Sequence, residues 1–83
     1  MSDKDYWAKA LLKILKTELL KRELTYQDLE KQLAKIGVKE TETNIKNKMS
    51  RGTFSAIFFL QCLRAMGITQ LSLEESFFMK KEK

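Results

Sequence analysis

Thr43, Lys46 and Asn47 form a polar set that is suited to the recognition of a partner molecule. In the polar segment around them, only Ile45 and Met49 are candidates for burial. Placed on a helix, these two apolar residues lie one turn apart, which leaves the three polar side chains facing outward. Lysine and asparagine side chains hold phosphates and read base edges. The pattern therefore predicts binding to double-stranded DNA, with these three residues facing the bases.

Five further residues complete the predicted DNA-binding set. Lys39, Lys48 and Arg51 are expected to hold phosphates at the edges of the same segment. Tyr26 and Gln27 open the preceding predicted helix, where free amide groups and the helix dipole favour phosphate.

A plainer interpretation of these residues stays open, because lysine and asparagine on a short exposed helix are ordinary solvated surface. Glu40 and Glu42 weigh against DNA, since they place negative charge at the start of the supposed recognition helix. Lys9, Lys13 and Lys16 line one side of the first predicted helix, and the stripe is either a solvated face or a rail for phosphates.

Catalysis and metal binding find little support in the sequence. The chain has no His and a single Cys, Cys62, so neither an intramolecular disulfide nor a zinc site of about four Cys or His ligands is expected. No nucleophile with a nearby base and no glycine-rich phosphate loop is visible. We therefore expect neither an enzyme nor a bound cofactor.

Length and charge bound the class of protein. The 83 residues predict one domain, with a core over about 4–79 and a charged tail at 80–83. Sixteen basic and 11 acidic residues give a net charge of +5, which permits DNA binding by counterion release without demanding it. The N-terminus lacks an apolar signal sequence, and no segment approaches the ~20 apolar residues of a membrane span. A cytoplasmic protein is expected.

Apolar periodicity predicts an all-α domain, a compact bundle of about five short helices. The predicted helices cover about residues 4–22, 25–36, 41–50, 54–67 and 72–79. Thr25, with Asp28 three residues later, and Thr41 are the expected N-caps of the second and third helices. Gly37 and Gly52 are expected to end these helices in the left-handed conformation. Two helices with a tight turn, the second mostly polar, are typical of a helix-turn-helix.

The remaining helices carry most of the apolar residues. A chain this short is expected to use every large apolar side chain in packing, including Trp7 on the first helix. The fourth helix, capped by Thr53 or Ser55, is apolar nearly all round and is therefore expected in the middle of the domain. Within it, Cys62 is expected to act as a small buried hydrophobe. Ser72 and Glu75 form a predicted capping box for the fifth helix.

A second hypothesis is a protein–protein interaction module. The C-terminal third has a surplus of phenylalanines that an 83-residue domain is hard pressed to hide, and an exposed apolar patch marks an interface. Phe59, Phe77 and Phe78 are the predicted dimer or partner surface. The same patch would serve a DNA-binding homodimer, so the two hypotheses are compatible.

The chain resembles the λ-repressor-like, or Xre-type, helix-turn-helix domains over about residues 10–70. The matching positions are Leu24 and Thr25, Leu29, Gly37 and Val38, Ile45, Arg51 and Gly52, and the segment from Ala65 to Ile68. More closely, the run GVKETETNIKNKMSRGTFSAIFFLQCLRAMGI resembles a small uncharacterised bacterial family of helix-turn-helix-like proteins. The first resemblance implies a DNA-binding transcriptional regulator, and the second implies no activity.

Three departures from the Xre pattern concern DNA readout. The runs from Leu29 to Gly37 and from Gly37 to Gly52 are each about three residues longer than usual. Tyr26 also stands where the pattern has a glutamine, with Gln27 one step later, and tyrosine cannot make the bidentate contact of glutamine to adenine.

Overall fold

Four helices make up the part of the chain that the computed structural model describes, which is residues 3–52, 54–71 and 73. They are α1 (Asp3–Lys21), α2 (Tyr26–Lys35), α3 (Glu42–Arg51) and α4 (Ala56–Ala65). No strand occurs among these residues, so the predicted all-α class is confirmed. The predicted fifth helix, with Phe77 and Phe78, lies outside the described residues.

Each helix contributes a pair of side chains, spaced i and i+4, to a single apolar core, and Ala10 and Ile14 of α1 are buried as well. The pairs are Leu15 and Leu19, Leu29 and Leu33, Ile45 and Met49, and Phe58 and Cys62. None of these eight residues is more than 4% exposed. Two side chains one turn apart on the same face are what an amphipathic helix presents to a core. The inward placement predicted for Ile45 and Met49 is therefore confirmed.

Cys62 is fully buried in this core, as predicted. Burial raises the pKa of its thiol to about 12, because the apolar surroundings disfavour the thiolate. The thiol therefore stays protonated at neutral pH and packs as a small hydrophobe.

Three of the helices begin with the same hydroxyl cap. Thr25, Thr41 and Ser55 each accept a hydrogen bond from the amide three residues later, at 3.0–3.1 Å. At the start of α2, the Asp28 carboxylate also accepts from the Thr25 amide at 2.9 Å, which completes the predicted capping box. Thr53, the alternative cap considered for α4, lies outside the described residues.

The ends of α1, α2 and α4 share one hydrogen bond in which the amide of an apolar residue reaches back five positions. Leu24 donates to the Leu19 carbonyl, Val38 to Leu33 and Ile68 to Leu63, each at 2.9 Å. This is the Schellman ending, which turns the chain back toward the core. Leu24 and Val38 accordingly pack against the core.

Gly52 ends α3 with φ of 67°, as predicted, and is itself buried. A Cβ at this position would lie 3.4 Å from the carbonyl oxygen of Ala8. The end of α3 therefore packs directly against the backbone of α1.

The expectation that every large apolar residue is buried is wrong. Trp7 is 57% exposed, although it was predicted on the packed face of α1. The 19 residues of α1 rise about 28 Å, whereas each ten-residue helix rises about 15 Å, so the shorter helices cover only part of α1. Ile57 and Leu60 on α4 are 69% and 62% exposed. The prediction that α4 lies in the middle of the domain is therefore wrong for this face, because only its opposite side, with Phe58 and Cys62, packs in the core.

Glu23 offers a test of the Schellman ending of α1. It has φ of 55°, a left-handed conformation that costs a residue with a Cβ about 1 kcal/mol. Glu23→Gly should raise the free energy of unfolding by roughly 0.5–1 kcal/mol, measured by urea denaturation, because glycine adopts this conformation without strain. Glu23→Ala is the control, since it removes the charge and leaves the strain. An equal gain in both variants would contradict the explanation.

Candidate nucleic-acid interface

The short polar helix α3 is fixed to the rest of the molecule by both apolar and polar contacts. Ile45 and Met49 are 0% and 1% exposed and anchor its inner face. The Thr41 hydroxyl accepts from the Asn44 amide at 3.1 Å. A ten-residue helix of this composition is not stable alone in water, so these attachments decide its position.

A hydrogen bond between helices completes the attachment of α3. The Glu30 carboxylate, on α2, accepts from the backbone amide of Glu42 at 2.9 Å. That amide is one of the first-turn donors that lack an acceptor within their own helix. The carboxylate also sits at the positive end of the α3 dipole. The sequence did not predict this role of Glu30, because its partner is a backbone amide twelve residues away.

The residues predicted to face bases are available on the outer side of α3. Thr43, Lys46 and Asn47 are all exposed, and their i, i+3, i+4 spacing places them on one face. Lys39 and Arg51, predicted to hold phosphates, are also exposed. Lys39 lies shortly before α3 begins, and Arg51 is its last residue.

Lys48 has a different environment from the other predicted phosphate-binding residues. Its ammonium lies 3.1 Å from the Glu40 carboxylate and 4.6 Å from the centroid of the Phe58 ring. The Lys48 side chain is 37% exposed and that of Glu40 only 14%. This pair ties α3 to the segment before it and to α4, and it largely neutralises the charge of both residues. Glu40 therefore opposes an anionic ligand less than its sequence position indicates.

The start of α2 is less open to phosphate than the sequence indicates. The Asp28 amide is occupied by the Thr25 hydroxyl, at 3.1 Å. Hydrogen bonds from the Thr25 amide and hydroxyl hold the pKa of the Asp28 carboxyl below its usual 3.8, so it is negatively charged at neutral pH. Gln27 is exposed, whereas Tyr26 is half-buried against the core.

A cleft joins the outer face of α3 to α1. Lys16 of α1, Tyr26 of α2 and Lys46 of α3 line it together, with Glu42 at its edge, and its volume is about 550 Å³. The lysine stripe of α1 is therefore adjacent to the predicted DNA-binding residues. No sequence signal indicated this, because the proximity depends on how three helices pack.

No group of three or more His, Cys, Asp or Glu residues in the described part of the chain is placed to hold a metal ion. Among the helices of this part of the chain, none is long and apolar enough to cross a membrane.

Comparison with known proteins identifies one family. The family described as "Domain of unknown function (DUF6471)" matches residues 7–71. This range includes most of α1, all of α2, α3 and α4, and every predicted DNA-binding residue. Neither the comparison with curated proteins nor that with solved structures finds a match.

The bond between α2 and α3 can be tested at Glu30. Glu30→Ala should lower the free energy of unfolding by about 1 kcal/mol, because the Glu42 amide loses its acceptor and the helix dipole loses a compensating charge. Glu30→Gln keeps an oxygen acceptor and should lose clearly less. Urea denaturation followed by far-UV circular dichroism gives both values, and equal stability of Glu30→Ala and the wild type would contradict this role.

The capping box predicts a pH dependence at Asp28. Because the folded pKa lies below the usual value, the charged carboxylate stabilises the fold above about pH 4. That stability is lost as the pH falls through the folded pKa. Asp28→Asn should therefore be less stable than the wild type at pH 7, and the difference should vanish near pH 2. Thermal unfolding at both pH values measures it, and a difference that does not change with pH would show that the carboxylate charge is not the cause.

Proposed function

The chain belongs to the DUF6471 family, and we propose that this member binds double-stranded DNA through α3 as a small transcriptional regulator. The observation that carries the proposal is the contrast between the two sides of α3. Its inner side is locked by Ile45 and Met49, while its outer side presents Thr43, Lys46 and Asn47 to solvent. A rigidly held helix with an exposed polar face suits insertion into the major groove.

In this proposal α2 and α3 act as a helix-turn-helix, with α3 as the recognition helix. The connection spans residues 36–41 and is longer than the usual three or four residues. The Glu30 bond and the Lys48–Glu40 pair compensate for that length by fixing α3 at its start and along its side. Base contacts need such fixed geometry, because hydrogen bonds to base edges are directional.

The proposed contacts follow from exposure and charge. Thr43, Lys46 and Asn47 face bases, and Lys39 and Arg51 hold phosphates. Lys16 joins the phosphate contacts, because it lines the same cleft as Lys46. Lys48 is assigned a positioning role, since Glu40 already binds its charge. Gln27 and Tyr26 contact the phosphate backbone of the DNA, although the negative charge of Asp28 weakens that contact.

We further propose that the protein acts as a homodimer in the bacterial cytoplasm and binds no cofactor. One module of this size buries too little surface for tight specific binding, so two copies on paired half-sites are expected. Phe59, proposed for the dimer surface, is half-buried against the core. Ile57 and Leu60 on the same helix are more exposed and suit that surface better.

The test is fluorescence anisotropy with a labelled mixed-sequence duplex at about 50 and 200 mM salt. Wild-type affinity should fall steeply between the two salt concentrations, because phosphate contacts release counterions. Lys46→Ala should weaken binding by about tenfold. It should also reduce the slope of log affinity against log salt concentration by about one. Arg64→Ala, which removes one charge from an exposed position on α4, is the matched control and should change affinity by less than about threefold.

Two results would count against the proposal. A folded protein that does not bind at low salt would exclude even non-specific DNA affinity. Equal losses in Lys46→Ala and Arg64→Ala would mean that net charge alone, and no defined face, attracts the duplex.

The alternative function is a protein–protein interaction module. The observation that favours it is the exposure of Ile57 and Leu60, at i and i+3 on one face of α4. Burying such a pair in a partner would stabilise a complex by the hydrophobic effect. This alternative predicts no response to DNA, together with a complex that is lost on Leu60→Ser.

A further inference from the structure

A shallow groove runs along the outer side of α1 and continues between α1, α2 and α3. Its first part has a volume of about 310 Å³ and is lined by Lys9, Leu12, Lys13, Lys16, Thr17 and Leu20. Its second part is the 550 Å³ cleft at Tyr26 and Lys46. The two parts share Lys16 and Leu20, so they form one continuous surface, which we call the α1 groove.

Apolar side chains line the α1 groove. Leu20 lines both of its parts and is 78% exposed, the highest exposure of any large apolar side chain in the described residues. Leu12 lines the first part and Leu24 the second, and both are only partly buried. Leu20 therefore adds little to the folding of this domain and offers a site for apolar contact with another molecule.

The rim of the α1 groove is basic. Lys9, Lys13 and Lys16 follow one another along α1, and Lys46 adds a fourth positive charge from α3. Glu42 is the one acidic residue among the groove-lining residues. The residues from Lys9 to Leu20 rise about 17 Å along α1, which matches about three turns of a second helix.

We propose that the α1 groove binds an acidic amphipathic helix from a partner protein. Apolar side chains of that helix, at i, i+3 or i+4 and i+7, would pack on Leu12, Leu20 and Leu24. Its flanking Asp and Glu residues would pair with Lys9, Lys16 and Lys46. This is the helix-in-groove mode of recognition, to which charge complementarity adds specificity and speed of association.

The apolar side chains of the α1 groove are the reason to favour a helical peptide over nucleic acid. A phosphate backbone pairs with the lysines but has no apolar group to cover Leu20, whereas an acidic amphipathic helix satisfies both. The inference does not depend on the proposed DNA binding. Because Lys46 belongs to both surfaces, however, an acidic helix in the groove would compete with a duplex on α3.

The test uses the full-length protein and a fluorescein-labelled synthetic helix of about 18 residues. The probe has leucines at i, i+3 or i+4 and i+7 on one face and glutamates flanking them. A scrambled peptide of the same composition, without the apolar face, is the control probe. Anisotropy at about 50 mM salt should show binding of the first peptide and at least tenfold weaker binding of the second.

Matched protein variants locate the site. Leu20→Ser should weaken peptide binding by about tenfold, while Leu73→Ser, at an exposed leucine outside the four helices, should leave it unchanged. Lys16→Gln should weaken binding, and more so at low salt, whereas Lys35→Gln on the exposed end of α2 should not. All four positions are at or near the surface, so circular dichroism should show folded proteins.

Several results would overturn the inference. They are equal binding of both peptides, equal loss in Leu20→Ser and Leu73→Ser, or no binding by folded protein. Sedimentation with phosphatidylglycerol vesicles that depends on Leu20, without peptide binding, would assign the groove to a membrane surface instead. Self-association abolished by Leu20→Ser would assign it to a second copy of the chain. Leu20 lies outside the proposed DNA contacts, so Leu20→Ser should keep its affinity for the duplex, and failures of the two proposals can be told apart.

Discussion

Four helices share a single apolar core, to which each presents a pair of side chains spaced i and i+4. Because of this constraint, each helix gives the core a narrow stripe and leaves most of its surface outside. The hydroxyl caps of α2, α3 and α4 and the Schellman endings of α1, α2 and α4 add local order to the helices. The constraint also explains why large apolar residues such as Leu20 and Leu60 are exposed.

Acidic residues near α3 have structural roles that change how the basic surface should be understood. Glu30 caps the helix from α2, and Glu40 binds the ammonium of Lys48. Asp28 closes the capping box of α2. In the sequence, these carboxylates lower the net positive charge of the segment around α2 and α3. In the fold, two of them hold the helix in place, while Lys46 and Asn47 stay exposed beside them.

The longest helix, α1, connects the two proposed surfaces. One side completes the core through Leu15 and Leu19 and meets the end of α3 at Gly52. The opposite side brings Lys16 beside Lys46 and leaves Leu20 exposed between them. A DNA-binding face and a peptide-binding groove that share a lysine would make binding of the two ligands mutually exclusive, which is a simple basis for regulation by a protein partner.

Four of the five predicted helices, the caps at Thr25 and Thr41, and the burial of Ile45 and Met49 could be predicted from the sequence. These features depend on groups within about four residues of one another, so periodicity and capping chemistry predict them. The outward face of α3 follows from the same periodicity. The cap that Glu30 gives α3, the pairing of Lys48, and the cleft lined by both Lys16 and Lys46 could not be predicted. Those relations join groups on different helices or across a turn. They depend on packing angles set by the whole core, which no local pattern encodes.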